Sequence, residues 1–288
     1  MNATAEKIMS ASTSITDYAE GIHEGVPADV YHRKELGVVN KGALDQLART
    51  PQHYRAWLAS DEQHETPALL FGRALHALVL EPALFDREYA KQPAFGDLRT
   101  KAGKELRDGW IASHHGVTPV SAEDWEKLQA MRDSVMNHPV AGPLFTGGQA
   151  EATAIWTDPR TGLLCKARMD YWRGDLCVIA DLKTTEDASP SAFARSVVNY
   201  RYHVQQAHYT SGPQALGLGT PQFVFVAIEK SPPHAVGIYM LDADAEARGH
   251  ELRERNMDTL TECLQTDTWP GLPSAVNTLA LPAYAFHD

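Results

Sequence analysis

The chain has 288 residues, 43% hydrophobic and 22% charged, with 26 Lys and Arg against 37 Asp and Glu for a net charge of −11. That length suits one large domain or two small ones, and the composition excludes long disorder. No run of about 18 apolar residues occurs and Met1 to Thr16 has no apolar core, so neither a membrane span nor a signal peptide is expected, and a cytoplasmic protein is. Three scattered cysteines, Cys165, Cys177 and Cys263, build neither a disulfide framework nor a four-cysteine metal site.

A charge of −11 argues against nucleic acid until its position is read. Residues 1–65 carry a net −4 and residues 242–288 a net −6, whereas residues 66–241 hold 18 acids and 17 bases. The middle of the chain is balanced, so the total says little about its surface.

In chain order, residues 1–20 read as a flexible lead-in. Between Asn40 and Ala59 the apolar positions Leu44, Leu47, Tyr54, Trp57 and Leu58 recur at helical spacing, and Pro51 splits them into two short helices. Residues 67–80 predict an apolar helix closed by Glu81-Pro82. Residues 91–109 hold five bases against three acids, with Gly and Pro, and read as an exposed, partly basic loop. Ser121 is expected to cap a helix to about Asn137, with Asp124 completing a capping box.

The period then changes. Residues 150–157, 163–172 and 176–183 read as three strands joined by short turns, an antiparallel meander. Ser189-Pro190 opens a long helix expected to run to about Gly212. Two more strands follow at 222–229 and 235–241, then an acidic amphipathic helix from Asp242 to Gln265 and an irregular tail. The order predicts an α+β fold with layers α/β/α and a mixed central sheet. It is expected to be one domain over 21–288, with a helical part over about 21–145, a sheet and its helices over about 146–265, and a tail over 266–288.

The third strand ends Asp181-Leu182-Lys183-Thr184-Thr185. An acid and a lysine two apart on a strand share a face, where the carboxylate can hold a divalent cation and Lys183 can orient a water or neutralise developing charge. About 1.3 acid-x-Lys triplets are expected by chance in this composition, and this one alone occurs. Its alternative is a salt bridge at a strand end. Asp170, near the end of the preceding strand, can converge with Asp181 on one cation, and magnesium needs only two or three protein carboxylates. Glu151 is either a third such acid or an exposed strand-edge charge. His76, in an apolar helix, is either a core residue or a ligand. Gln205 and Tyr209 are four apart and share a helix face, either packing there or holding a substrate phosphate or the site lysine.

Together, Gly-x-x-x-His before Leu-Glu-Pro, a strand Glu, an Asp, Asp-x-Lys-Thr-Thr and Gln-x-x-x-Tyr resemble the RecB-type branch of the PD-(D/E)XK nucleases. More closely they resemble the exonuclease VIII (RecE-type) family, over about Gly21 to Leu281. Flanking words agree, among them Tyr31-His32, Arg99-Thr100 with Gly103-Lys104, Tyr200 to Gln205, and Thr266-Asp267-x-Trp269-Pro270. Arg168-Met169 precede Asp170 where the family name suggests a proline.

The resemblance implies a restriction-endonuclease-like fold. It implies His76, Asp170, Asp181 and the Leu182 carbonyl as metal ligands, Lys183 as the catalytic lysine, Glu151 as the upstream acid, and Gln205 and Tyr209 as supports. The cation is expected to be magnesium, with manganese accepted because one ligand is nitrogen. The implied activity is 5′-to-3′ digestion of linear duplex DNA to 5′-mononucleotides, by a ring-shaped homo-oligomer, for a single-strand annealing (RecT-like) partner in a phage or prophage setting. DNA contacts are expected from Arg73, Arg99, Lys101, Lys104, Arg107 and Arg201. Two other readings are weighed: an endonuclease of the same superfamily, whose usual four-cysteine cluster this chain cannot build, and a non-catalytic DNA-binding protein. With Glu151, Asp170 and Asp181 set aside as acids of the metal site, residues 66–241 carry a net +2.

Overall fold

The computed structural model describes residues 14–60, 66–282 and 286. Most of the expected lead-in, residues 1–13, lies outside them. From Ser14 the chain is fixed: Ser14 caps a single turn at Ile15–Asp17, and Ile15 is fully buried.

β1 (Gly21–His23), α1 (Ala28–His32) and β2 (Val38–Val39) come first, too short to show a period. α2 (Lys41–Arg49) and α3 (Pro51–Ala59) divide at Pro51 as expected, and Thr50 caps the second through its hydroxyl. α4 (Pro67–Leu80) is apolar and ends at Glu81; α5 (Pro82–Glu88) and β3 (Tyr89–Lys91) follow.

The expected basic loop is in part a helix, α6 (Lys101–Ser113). Thr100 caps it by accepting from the Gly103 N–H, and a Cβ on Gly103 would lie 2.3 Å from the Asp97 carbonyl, so this close approach requires glycine. Gly103 and Gly109 weaken the helical pattern, which is why it reads as a loop. After β4 (Thr118–Val120), α7 (Ala122–Met136) starts at Ser121 as expected. The capping differs in one bond: the Asp124 carboxylate takes the Ser121 hydroxyl at 2.9 Å. α8 (Ala141–Leu144) leads into the sheet.

β5 (Gln149–Thr157), β6 (Leu164–Arg173) and β7 (Val178–Thr185) form the antiparallel meander. The long helix expected after Ser189 is two: α9 (Pro190–Asn199) and α10 (Tyr202–Ala215). Arg201 breaks it in the left-handed region at φ 54°, because its guanidinium reaches the Leu44 carbonyl and Asn256 Oδ1, both at 2.9 Å. β8 (Gln222–Glu229), β9 (Val236–Tyr239) and α11 (Ala243–Thr266) complete the order.

The main sheet runs β1-β5-β6-β7-β8-β9, mixed because β7 and β8 pair in parallel. β6 is shared along one edge: Leu164 and Cys165 take β2, while Tyr171 to Arg173 take β7. One face packs on α2, α3, α9, α10 and α11 through Trp156, Met169, Ile179 and Phe225; the other packs on α4 and α7 through Tyr171, Ala180, Leu182 and Val226. The result is an α+β fold with a mixed sheet between helical layers. Among the described residues no helix is long and apolar enough to cross a membrane.

Candidate active site

The site forms where β6 and β7 stop pairing. Their register runs through Tyr171–Ala180 and would next set Asp170 opposite Asp181. There the strands part, and the Leu182 N–H donates to Asp170 Oδ2 at 2.8 Å. On the other side, the β5–β6 register sets Glu151 opposite Asp170, between the pairs Ala150–Tyr171 and Ala152–Met169. The three acids thus occupy one row across three strands. Glu151 adopts φ 50° within its strand, a conformation that costs about 1–3 kcal/mol and is kept where surroundings dictate it.

Two groups hold the row. His76, on α4, points Nε2 at the Leu182 carbonyl (2.9 Å) and at Asp170 Oδ2 (3.2 Å), and its Nδ1 at the Gly72 carbonyl (2.8 Å). With acceptors at both nitrogens, the ring carries two protons. Burial opposes that charge, but the Asp170 carboxylate and the Gly72 carbonyl outweigh it and raise the pKa to about 9. On the opposite helical layer, Gln205 of α10 donates to Asp181 Oδ1 at 2.6 Å, and the Lys183 ammonium lies 2.6 Å from Asp181 Oδ2. That oxygen is buried and receives no well-aligned hydrogen bond, the lysine meeting it as an ion partner only.

The acids divide electrically. Burial, reinforced by the Asp170 charge, lifts Glu151 to about 7. Burial lifts Asp181 to about 6 against the pull of Lys183. Asp170 goes the other way: burial would raise it, but the charge and hydrogen bond of His76 hold it below the usual carboxylate range. Lys183 is raised, because Asp181 and Asp170 outweigh the cost of burying its charge.

Among the described residues no three His, Cys, Asp or Glu side chains stand gathered as a finished metal cage. The donor chemistry nevertheless fits a divalent cation. The Nε2 proton of His76 lies between an imidazole nitrogen, a carboxylate and a carbonyl oxygen, all of which a cation replacing it would find as ligands. Asp181 Oδ2 is a buried oxygen short of a hydrogen bond, and the crowded acids resist ionising together until positive charge is supplied. His76 Nε2, Asp170, Asp181 and the Leu182 carbonyl are the groups that would hold it.

The remaining expected residues are placed as follows. Tyr209 lies on α10, buried, one turn from Gln205. Arg73 is exposed on α4, one turn before His76. Arg99, Lys101 and Lys104 are exposed on α6 or its approach and Arg107 is partly so. Arg201 is not free for DNA: besides Leu44 and Asn256 it pairs with Asp45 at 3.3 Å, tying α10 to α2 and α11.

Two neighbours were not legible as site residues. Tyr202 lies under the Lys183 ammonium, 4.8 Å from ring centre to Nζ. Arg168, two before Asp170 on β6, covers the Tyr31 ring at 4.3 Å and donates to the Val26 carbonyl. The i−2 spacing from Asp170 was the available signal for Arg168; Tyr202 had none beyond its place in the Tyr200 to Gln205 word.

The family model described as "PDDEXK-like domain of unknown function (DUF3799)" matches residues 42–280. No curated protein matches. Among solved structures, a crystal structure from Eubacterium rectale described as a "putative exonuclease" is similar at 14% identity, covering 92% of this chain and 99% of that one, with a TM-score of 0.61. At that identity the likeness speaks for the fold. The family model and the shared fold agree on a PDDEXK-like domain. With the match running over most of its length, from α2 into the tail, the chain belongs to the PDDEXK-like family.

Proposed function

We propose that this chain is a divalent-metal-dependent exodeoxyribonuclease that digests linear duplex DNA from 5′ to 3′, releasing 5′-mononucleotides and leaving a 3′ single strand. The observation that carries the hydrolytic reading is the row Asp170–Asp181–Lys183 at parted strands, with His76 on one side and Gln205 on the other. Polarity, the mononucleotide product, magnesium as the cation, a ring-shaped homo-oligomer and an annealing partner protein are supported by the resemblance to the exonuclease VIII family.

In this reading a water attacks phosphorus in line, the bond from phosphorus to the 3′ oxygen breaks, and that oxygen leaves with a proton. The products are a 3′ hydroxyl and a 5′ phosphate. Lys183 is held by Asp181 beside the reacting phosphate, where it orients the water or takes the charge accumulating on the phosphate oxygens. Gln205 fixes the Asp181 carboxylate. A bound divalent cation would supply Lewis-acid polarisation of the phosphate.

Digestion of linear and covalently closed DNA in magnesium tests this. The expected result is loss of the linear form alone, with 5′ label released before 3′ label. Cleavage of the closed circle would favour an endonuclease, and binding without cleavage of either form a non-catalytic DNA-binding protein.

A further inference from the structure

Beside Lys183, between the end of β7 and the start of α9, lies a cleft of about 270 Å³ whose wall includes Tyr200 and Tyr202. This is small for a ligand pocket, with room for one planar base and none for a duplex. The two rings stack on each other, 5.5 Å between centres and 27° between planes. Tyr202 is anchored beneath by Phe193 and Phe225. Tyr200, by contrast, is 62% exposed.

The charges around the cleft say what it would accept. Lys230 is neutralised by Glu186 at 2.7 Å, and Asp187 adds a further acid to the rim. Lys183, the cation paired with Asp181, has its ammonium over the Tyr202 ring, and Tyr200 stacks on that same ring. A nucleotide with its phosphate at Lys183 therefore directs its neutral, planar base toward Tyr200.

We infer that Tyr200, stacked on Tyr202, is a nucleobase platform that positions the terminal nucleotide at the acid row. This rests on the nuclease reading above and adds to it a base-binding subsite. Base–aromatic stacking is tolerant of sequence because every base has a flat face, which suits an enzyme that must accept each nucleotide in turn.

The test is calorimetric binding of two probes, dAMP and deoxyribose 5-phosphate, to the full chain in magnesium. Wild type and Tyr200→Phe are expected to bind dAMP about tenfold more tightly than the sugar phosphate. In Tyr200→Ala the preference should fall to near one, with sugar-phosphate affinity unchanged. Because Tyr200 is exposed, neither variant should perturb folding, and circular dichroism checks this. A preference that survives Tyr200→Ala, or no preference in wild type, overturns the platform. Digestion of linear duplex DNA by the same wild-type sample stands apart: its absence would overturn the nuclease reading and leave the measured base preference to stand or fall by itself.

Discussion

Two buried ion pairs, Asp158–Arg253 at 2.7 Å and Asp181–Lys183 at 2.6 Å, have nearly the same length and opposite character. Asp158 is saturated: Oδ2 takes the Arg253 guanidinium, and Oδ1 takes two N–H groups and the Thr161 hydroxyl. Burial works to raise its pKa, but those bonds win and hold it low. Asp181 has one bond from Gln205, a neighbour of like charge in Asp170, and a pKa raised to about 6. The first pair stabilises a junction between the β5–β6 turn and α11. The second leaves an under-satisfied carboxylate and an ammonium beside an opening, the state expected of groups kept for chemistry.

Removing one partner from each pair puts this contrast under the greatest stress. Lys183→Ala should reduce cleavage of linear duplex DNA at least about 10²–10³-fold, the cost of deleting one preorganised charge-stabilising donor. It should barely move the unfolding midpoint, since Asp181 can take a proton instead. Asp158→Asn should do the reverse: a loss of about 3–5 kcal/mol in denaturant unfolding, because Arg253 is left buried and unpaired, with unchanged activity per folded molecule. An active Lys183→Ala, or an Asp158→Asn as stable as wild type, would show that the two pairs do not divide the work in this way.

The two aspartates should also differ in pH dependence. A depressed carboxylate contributes stability that is present above its unfolded pKa and lost as pH falls through the folded one. The gap between wild type and Asp158→Asn should therefore be constant near neutrality and close in acid. A raised carboxylate has the opposite sign: in metal-free protein the Asp181 contribution is present at low pH and lost as pH rises through about 6. Relative to wild type, Asp181→Asn should thus gain stability as pH rises through about 6, the opposite trend to Asp158→Asn.

The Asp181-Leu182-Lys183 end of a strand was legible because a charged pair closing an apolar run is conspicuous, and Asp170 followed from hairpin geometry. The meander and the helices at Pro51, Pro67 and Ser121 were marked by prolines and caps. What the local pattern could not show came from distant contacts. Arg201 ends a helix without glycine or proline because its guanidinium has partners on α2 and α11. The two glycines of α6 hid a helix. The role of His76 was undecidable locally, since its partners lie 94 and 106 residues away.

A smaller effect concerns the metal-accepting side. At neutral pH His76 carries a proton on Nε2, and a cation taking that place must displace it. Calorimetric titration of manganese in buffers of different ionisation enthalpy should therefore show release of about one proton per cation, and tighter binding as pH rises. His76→Asn, which has no such proton to lose, should release fewer. Equal release in both would place the displaced proton elsewhere, with Glu151 and its pKa of about 7 the first alternative.

The smallest effect belongs to the exposed charges of α6 and its approach. Lys101–Glu105 and Arg107–Asp108 are exposed pairs on α6, and pairs of this kind contribute little to stability. If α6 touches DNA, its cations act through phosphate neutralisation, which is read in the salt dependence of binding. Changing Arg99, Lys101, Lys104 and Arg107 to Gln should leave the unfolding midpoint in place and lower the slope of log affinity against log salt by about one for each phosphate no longer neutralised. Cleavage at low salt should stay close to wild type, because the acid row is untouched. An unchanged slope would show that the bases of α6 are solvated charge, and would leave binding to groups nearer the acid row, Arg73 on α4 first among them.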